Sequence, residues 1–451
     1  MTTPPSCDMV IRMPTDLAIA PGPRLGRRGG LTAAALALSV AMLGTTLPTP
    51  LYGLYRERYG FSELMITVIF ATYAAGVIAA LFLFGRLSDQ VGRRPMLLAG
   101  LALSALSAVM FLLADGLPLL ISGRVLSGLS AGIFTGTATA TLVDLAPAAR
   151  RARATLAATI ANMGGLGCGP LLAGVLAQWA GSPLRLPFWV DLALLVPASL
   201  GVWFMPEPVV TRSRPRLRPH ALHVPAAMRT TFVRASLAGF AGFAVLGLFA
   251  AVAPDFLAQE VHVTNPAAIG LVVFAVFAAS TLGQVVLDVV RPGVALPAGC
   301  AALIVGMASL ALGVGFSALA LLVLGGVIAG FGQGLSLRAG LTAVNASAPA
   351  EERGEVASSF FVVLYTAISL PVIGEGVVAQ ATGLRPAGLI FAAAVAAVAA
   401  VVLVLLARSR ASGSAARPPE RPALSGAFRR EWCVTTHHST PNAPLNSYHR
   451  R

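Results

Sequence analysis

The sequence predicts an all-α membrane protein of twelve transmembrane helices in two pseudo-symmetric six-helix halves. Three observations lead there. Of its 451 residues, 56% are hydrophobic and 11% charged, with a mean hydropathy of +0.80, whereas a soluble globular domain carries about 25% charged residues. Twelve apolar stretches are each long enough to cross a bilayer core, which takes roughly 20 residues: 30–53, 63–84, 96–114, 117–143, 155–179, 187–205, 232–257, 268–288, 294–314, 317–344, 356–380 and 387–407. Finally, only one connection between them is long, the Arg- and Pro-rich 206–231, and it falls between the sixth and the seventh.

Taken in order, the first stretch follows Arg27-Arg28. It is too long for the apolar region of a signal peptide and lacks an A-x-A cleavage pattern, so it reads as a retained span. The second and third are joined by "GRLSDQVGRRP" (85–95), and the fourth carries Arg124 within "GRVLSGLSAG" (123–132). The fifth follows Arg150, Arg151 and Arg153 and contains "GLGCGPLLAG" (165–174); the sixth, with Asp191 near its outer end, closes the first half. The seventh presents Phe240, Phe243 and Phe249 and ends near Asp255, and the eighth leads through "GQVVLDVVRPG" (283–293) into the ninth. The tenth holds Gln333 and Arg338, the eleventh Pro371 and Glu375, and the twelfth runs into a polar tail whose composition reads as disordered. The chain therefore divides into an N-terminal tail (1–29), a first bundle (30–206), a basic linker (207–230), a second bundle (231–407) and a C-terminal tail (408–451). The halves are repeats: a shift of 202 residues aligns Gly123, Val125, Gly128, Gly132 and Pro147 with Gly325, Val327, Gly330, Gly334 and Pro349. Such six-helix repeats are a common transporter architecture with the substrate site between them.

Charge placement orients the chain. All 32 basic residues are arginine. With the N-terminus inside, four lie in outer segments (Arg56, Arg58, Arg185, Arg385), Arg124 and Arg338 lie well within spans, and the other 26 fall in inner segments or, for Arg234, at the inner end of the seventh span. The positive-inside rule then puts both termini in the cytoplasm and the protein in the plasma (inner) membrane. The net charge of +14 is thereby assigned to topology rather than to nucleic acid. Cys7, Cys168, Cys300 and Cys433 show neither ligand spacing nor a disulfide framework. Neither His437-His438 nor any other cluster reads as a metal site, and no cofactor is expected.

"GLSAG" (128–132) is a G-x-S-x-G, the pattern of a hydrolase nucleophile elbow. That elbow needs a strand-to-turn-to-helix setting, and Ser130 falls in mid-span. Gly128, Gly132 and Gly136 recur every four residues, as do Gly326, Gly330 and Gly334 in the tenth span, the spacing that lets helices pack closely in lipid. Packing is the expectation, and the chain is not expected to be an enzyme. Arg124 and Arg338 flank these glycines. A charge within a span costs at least ~2.5–3.5 kcal/mol and so usually faces a cavity or a partner.

The 85–95 loop, with Gly85, Asp89, Gly92, Arg93 and Arg94, resembles the G-x-L-x-D-x-x-G-R-[RK] signature of the major facilitator superfamily. "RVLSGLSAG" is similar to that family's helix-4 motif, whose arginine is associated with proton coupling. Gly165, Gly169, Pro170 and Gly174 match the helix-5 motif of its drug–proton antiporters and exporters. The resemblance implies a major facilitator fold and spans 1, 4, 7 and 10 around a cavity. It further implies proton-coupled multidrug-type efflux by alternating access, with the 85–95 loop and the helix-5 motif as gating elements.

Within that frame Arg124 and Glu375 are the proton-coupling candidates, and Thr45, Thr49, Phe243, Gln333 and Arg338 the cavity candidates. On span register Glu375 and Arg338 lie ~22 Å apart in depth and are not a direct pair. Few polar and several aromatic side chains favour an apolar or amphipathic small molecule as cargo. The expected partners are that molecule, protons and the bilayer, for a protein working as a monomer; the alternative reading is an uptake symporter for a sugar or another metabolite.

Overall fold

The computed structural model describes residues 25–84, 87–209, 223–349 and 351–415. Gly85, residues 1–24, most of the linker and the tail from 416 with His437-His438 lie outside the described residues. The helices in chain order are α1 (Arg27–Thr46), α2 (Tyr52–Tyr59), α3 (Glu63–Phe84), α4 (Leu87–Val91), α5 (Arg93–Leu112), α6 (Leu117–Leu145), α7 (Arg151–Trp179) and α8 (Leu186–Phe204), then α9 (Arg229–Ala251), α10 (Ala253–Gln259), α11 (Pro266–Val286), α12 (Pro292–Phe316), α13 (Leu319–Ser347), α14 (Arg353–Thr382) and α15 (Leu384–Ala415). Twelve are long and apolar enough to cross a membrane, and no strand occurs among the described residues. In lipid, helices pair most backbone groups within their own segment.

Two spans expected to be single helices are jointed. The first breaks after Thr46, passes through a 3-10 turn at Thr49–Leu51 and resumes as α2. Pro48 and Pro50 lack the amide hydrogen that the ladder needs. The seventh, expected to reach residue 257, breaks at Val252 and resumes as α10 with Pro254 in its first turn. Asn265 caps α11, its Oδ1 accepting from the Ala267 and Ala268 amides at 2.8 and 3.2 Å. α15 runs past the expected end at 407 to Ala415, and the residues from Ala407 onward form a unit of their own.

Glycines set how close the spans come. Gly76 and Gly128 bring α3 and α6 backbone to backbone: a Cβ added at Gly128 would lie 3.0 Å from the Gly76 Cα, and one at Gly132 would lie 2.5 Å from the Ala80 Cβ. Gly136, expected on the same face, has open space beside it. A four-residue step turns 40° beyond one helical turn, so two steps rotate Gly136 off the α3 face. Ser130 is 1% exposed within continuous α6 and its hydroxyl donates to the Gly100 carbonyl at 2.8 Å. Its chemistry is spent on packing α5 against α6.

The halves meet at α7 with α11 and at α3 with α14. Gly174 sits on the Pro266 carbonyl and Gly270 on the Pro170 carbonyl, while Gly376 sits on the Thr67 hydroxyl. All three contacts lie toward the face that carries α2 and α10, opposite the arginine-rich face where α1, α5, α7 and α9 begin.

Candidate functional site

A cavity of about 710 Å³ lies between the halves. Its lining runs along α6 from Arg124 past Thr135 and Gly136 to Asp144, and along α13 from Leu337 to Asn345. The deep end is therefore near Arg124 and the mouth lies toward the arginine-rich face. Because the opposite face is closed by the contacts above, the cavity has a single open side.

Arg124 is 1% exposed. Its Nη1 donates to the Thr45 carbonyl at 2.6 Å, and its guanidinium carbon stands 5.2, 5.4 and 5.9 Å from the ring centres of Tyr73, Phe70 and Tyr52. The Gly76–Gly128 approach is what carries Phe70 and Tyr73 to this distance. Contacts of this kind contribute roughly 0.5–2 kcal/mol each. No carboxylate pairs with Arg124 among the described residues, and its Nε has no acceptor. The deep end thus holds a desolvated cation caged by aromatic rings.

Of the expected cavity residues, Thr45, Phe243 and Arg338 line it, Phe243 making an edge contact with Tyr365 at 6.2 Å between centroids. Thr49 does not: it is buried in the 3-10 turn beyond Arg124. Gln333 also stays outside the lining, its Oε1 accepting from Ser280, and Phe249 lines a different pocket. Arg338 donates from Nη2 to Asp288 at 2.7 Å and from Nη1 to the Gln284 carbonyl. Asp288, the acid of the 283–293 loop, thereby pairs with the arginine of the tenth span. Glu375 is 5% exposed with one carboxyl oxygen unpartnered, in a separate small pocket of about 30 Å³ beside Phe249, Phe256 and Leu310. Arg124 and Glu375 are not brought together.

At the arginine-rich face, Asp89 is 59% exposed and pairs with Arg93 at 2.7 Å, while Arg93 also reaches Asp144 at 3.1 Å and the Ser88 hydroxyl at 2.6 Å. Gly92 adopts φ +111°, a conformation that L side chains rarely take, at the turn into α5. Arg94 lies over the Trp203 ring at 5.1 Å. Glu207, which no motif marks, accepts the Arg93 and Arg94 amides at 2.8 Å each and so caps α5 from the beginning of the linker. Of the helix-5 motif, Gly165 and Gly169 seat α7 on the α1 carbonyls of Ser39 and Leu43. Pro170 and Gly174 turn to α11, where Pro266 and Gly270 repeat the same P-x-x-x-G spacing in the antiparallel sense.

The closed face adds a polar cluster. Glu63 pairs with Arg56 and accepts from Gln259 of the other half at 3.0 Å, and Asp255 is buried against Gly53.

A polytopic helical membrane protein with one half-open cavity between two repeats has the architecture of a secondary transporter. The Major Facilitator Superfamily model matches residues 34–372, and the chain belongs to that family. Its fold is similar to that of a bacterial homolog of the human lysosomal transporter Spinster in an inward-facing, unoccupied conformation (TM-score 0.65, 17% identity, 86% of this chain and 98% of that one). It is also similar to the human organic anion transporter MFSD10 (TETRAN) (TM-score 0.61, 17% identity, 85% and 100%). A stretch of 139 residues is 32% identical to a triacylglyceride transporter of Mycolicibacterium smegmatis, covering 31% of this chain and a quarter (25%) of that protein's length.

Proposed function

We propose that the protein exports an amphipathic small molecule bearing an anionic group, in exchange for protons, by alternating access. The observation that carries the cargo chemistry is Arg124: a buried guanidinium at the closed end of a mainly apolar cavity, with no carboxylate among the described residues to neutralise it. A carboxylate or phosphate would accept its free N–H groups, and the apolar part would lie against Phe243, Leu246 and Phe361. The relative that transports triacylglycerides supports a cargo with long apolar parts. The arginine-rich face is cytoplasmic in this reading, so the structure corresponds to the inward-facing stage, and Glu375 is the carboxyl able to carry a proton, the guanidinium being always charged.

The test is efflux of a carboxylated fluorescent amphiphile from vesicles with an imposed pH gradient. Export that stops when a protonophore collapses the gradient supports the exchange; unchanged export removes it. Equal export of the neutral methyl ester removes the anionic cargo.

Asp89, solvated in this state, is proposed to latch the cytoplasmic side in the other. As the halves close there, its carboxylate meets the free N–H groups at the start of α14, an attraction of up to ~1–2 kcal/mol. Glu351 and Glu352 of the preceding turn and Glu355 in the first turn of α14 approach the arginines of the first half on the same side. Asp89→Asn keeps the shape and loses the charge. Cysteines at the cytoplasmic ends of α6 and α13 are then expected to label several-fold faster, with slower transport and normal insertion. Equal labelling and equal transport would leave Asp89 a solvated loop charge.

A further inference from the structure

A second cavity, of about 680 Å³, lies wholly within the first half at the arginine-rich face, between the start of α1, the end of α6 and the start of α7. Its rim carries Arg27, Arg28, Arg150 and Arg153, all exposed, and its floor is apolar, with Leu31 half-buried and Leu142 buried. No carboxylate lines it, and none of the four guanidiniums is in an ion pair among the described residues. Arg93 and Arg338 on the same face each have an acid partner, whereas these four converge on one groove that holds no acid.

We propose that this groove binds an anionic glycerophospholipid of the adjoining leaflet. The guanidinium fork matches a phosphate in two-point contacts, and the apolar floor takes the beginning of an acyl chain. A free phosphate would leave the floor unused, and a zwitterionic lipid would bring a cation against the rim. Basic pockets between spans at this face are suited to such headgroups. All the walls belong to one half, so occupancy does not require the alternating-access cycle and is independent of the cargo proposed above.

The experiment is native mass spectrometry of the full chain in detergent, titrated with phosphatidylglycerol, phosphatidylcholine or inorganic phosphate. Phosphatidylglycerol is expected to bind about tenfold more tightly than phosphatidylcholine, a difference of ~1.4 kcal/mol. Replacing the four arginines with glutamine should erase that preference, whereas Arg58, Arg185, Arg229 and Arg291 replaced together should leave it intact. These arginines also direct insertion. Should the glutamine quartet fail to fold, Ala157→Trp, which fills the groove without touching charge, carries the same expectation. Arg124→Gln should bind the lipid normally even if it transports nothing. A preference that survives both the quartet and Ala157→Trp would overturn the proposal, as would displacement of the lipid by an equal concentration of inorganic phosphate.

Discussion

Arg124→Gln is expected to lower the affinity for a carboxylated cargo by 10- to 100-fold while leaving its neutral ester within about twofold. Hydrogen bonds to a charged group contribute roughly 1.5–3 kcal/mol, and 1.4 kcal/mol is a factor of ten. The glutamine retains a donor for the Thr45 carbonyl, so α1 and α6 remain tied. Arg124→Lys keeps the charge but loses the fork, and an intermediate loss is expected. Binding of both congeners, followed by quenching of a fluorescent cargo in detergent, separates the effects. Equal losses for acid and ester would make Arg124 a structural tie, and no loss for either would move the anion site elsewhere.

The second large effect is at the seam between the halves. A Cβ at Gly174 would stand 2.9 Å from the Pro266 carbonyl carbon and 3.2 Å from the Ala267 Cα, backbone that cannot turn aside. Gly174→Val is therefore expected to cost the closed form about 1–3 kcal/mol, opening that face roughly 5- to 100-fold more often. Gly270→Val should reproduce it from the partner helix, because it meets Pro170 in the same way. Gly181→Val, with open space around it, is the control. A cysteine at Thr49, buried while the face is closed, reports the opening by its labelling rate. If Gly174→Val and Gly181→Val label alike, the seam does not govern closure.

The spans were legible because a bilayer demands about twenty apolar residues in a row, and that demand leaves little room for another reading. Hydropathy does not register a missing amide hydrogen, so the joints at Pro48–Pro50 and Pro254 were hidden inside apolar runs. The lining of the candidate cavity was legible where a charge stood out against that background, as with Arg124 and Arg338. Threonine and glutamine gave no comparable contrast: Thr49 and Gln333 have the polarity of cavity residues, but one lies in the turn and the other bonds Ser280. Glu207 was invisible because its partners are backbone amides 114 and 113 residues away. Pro266 and Gly270 escaped notice because they answer Pro170 and Gly174 across the interface, outside the 202-residue register of the repeat.

The closed face is held by two kinds of contact that respond to different conditions. Where α7 crosses α11, glycine rests on carbonyl and no ionised group takes part. A few residues away, the Glu63 carboxylate, paired with Arg56 of its own half, accepts a hydrogen bond from the Gln259 amide of the other. Dissolved salt weakens the Arg56–Glu63 pair that positions the second, its screening length being about 8 Å at physiological ionic strength, and leaves the first untouched. Raising ionic strength on that side alone should therefore speed opening only to a plateau, and the remaining barrier measures the uncharged seam.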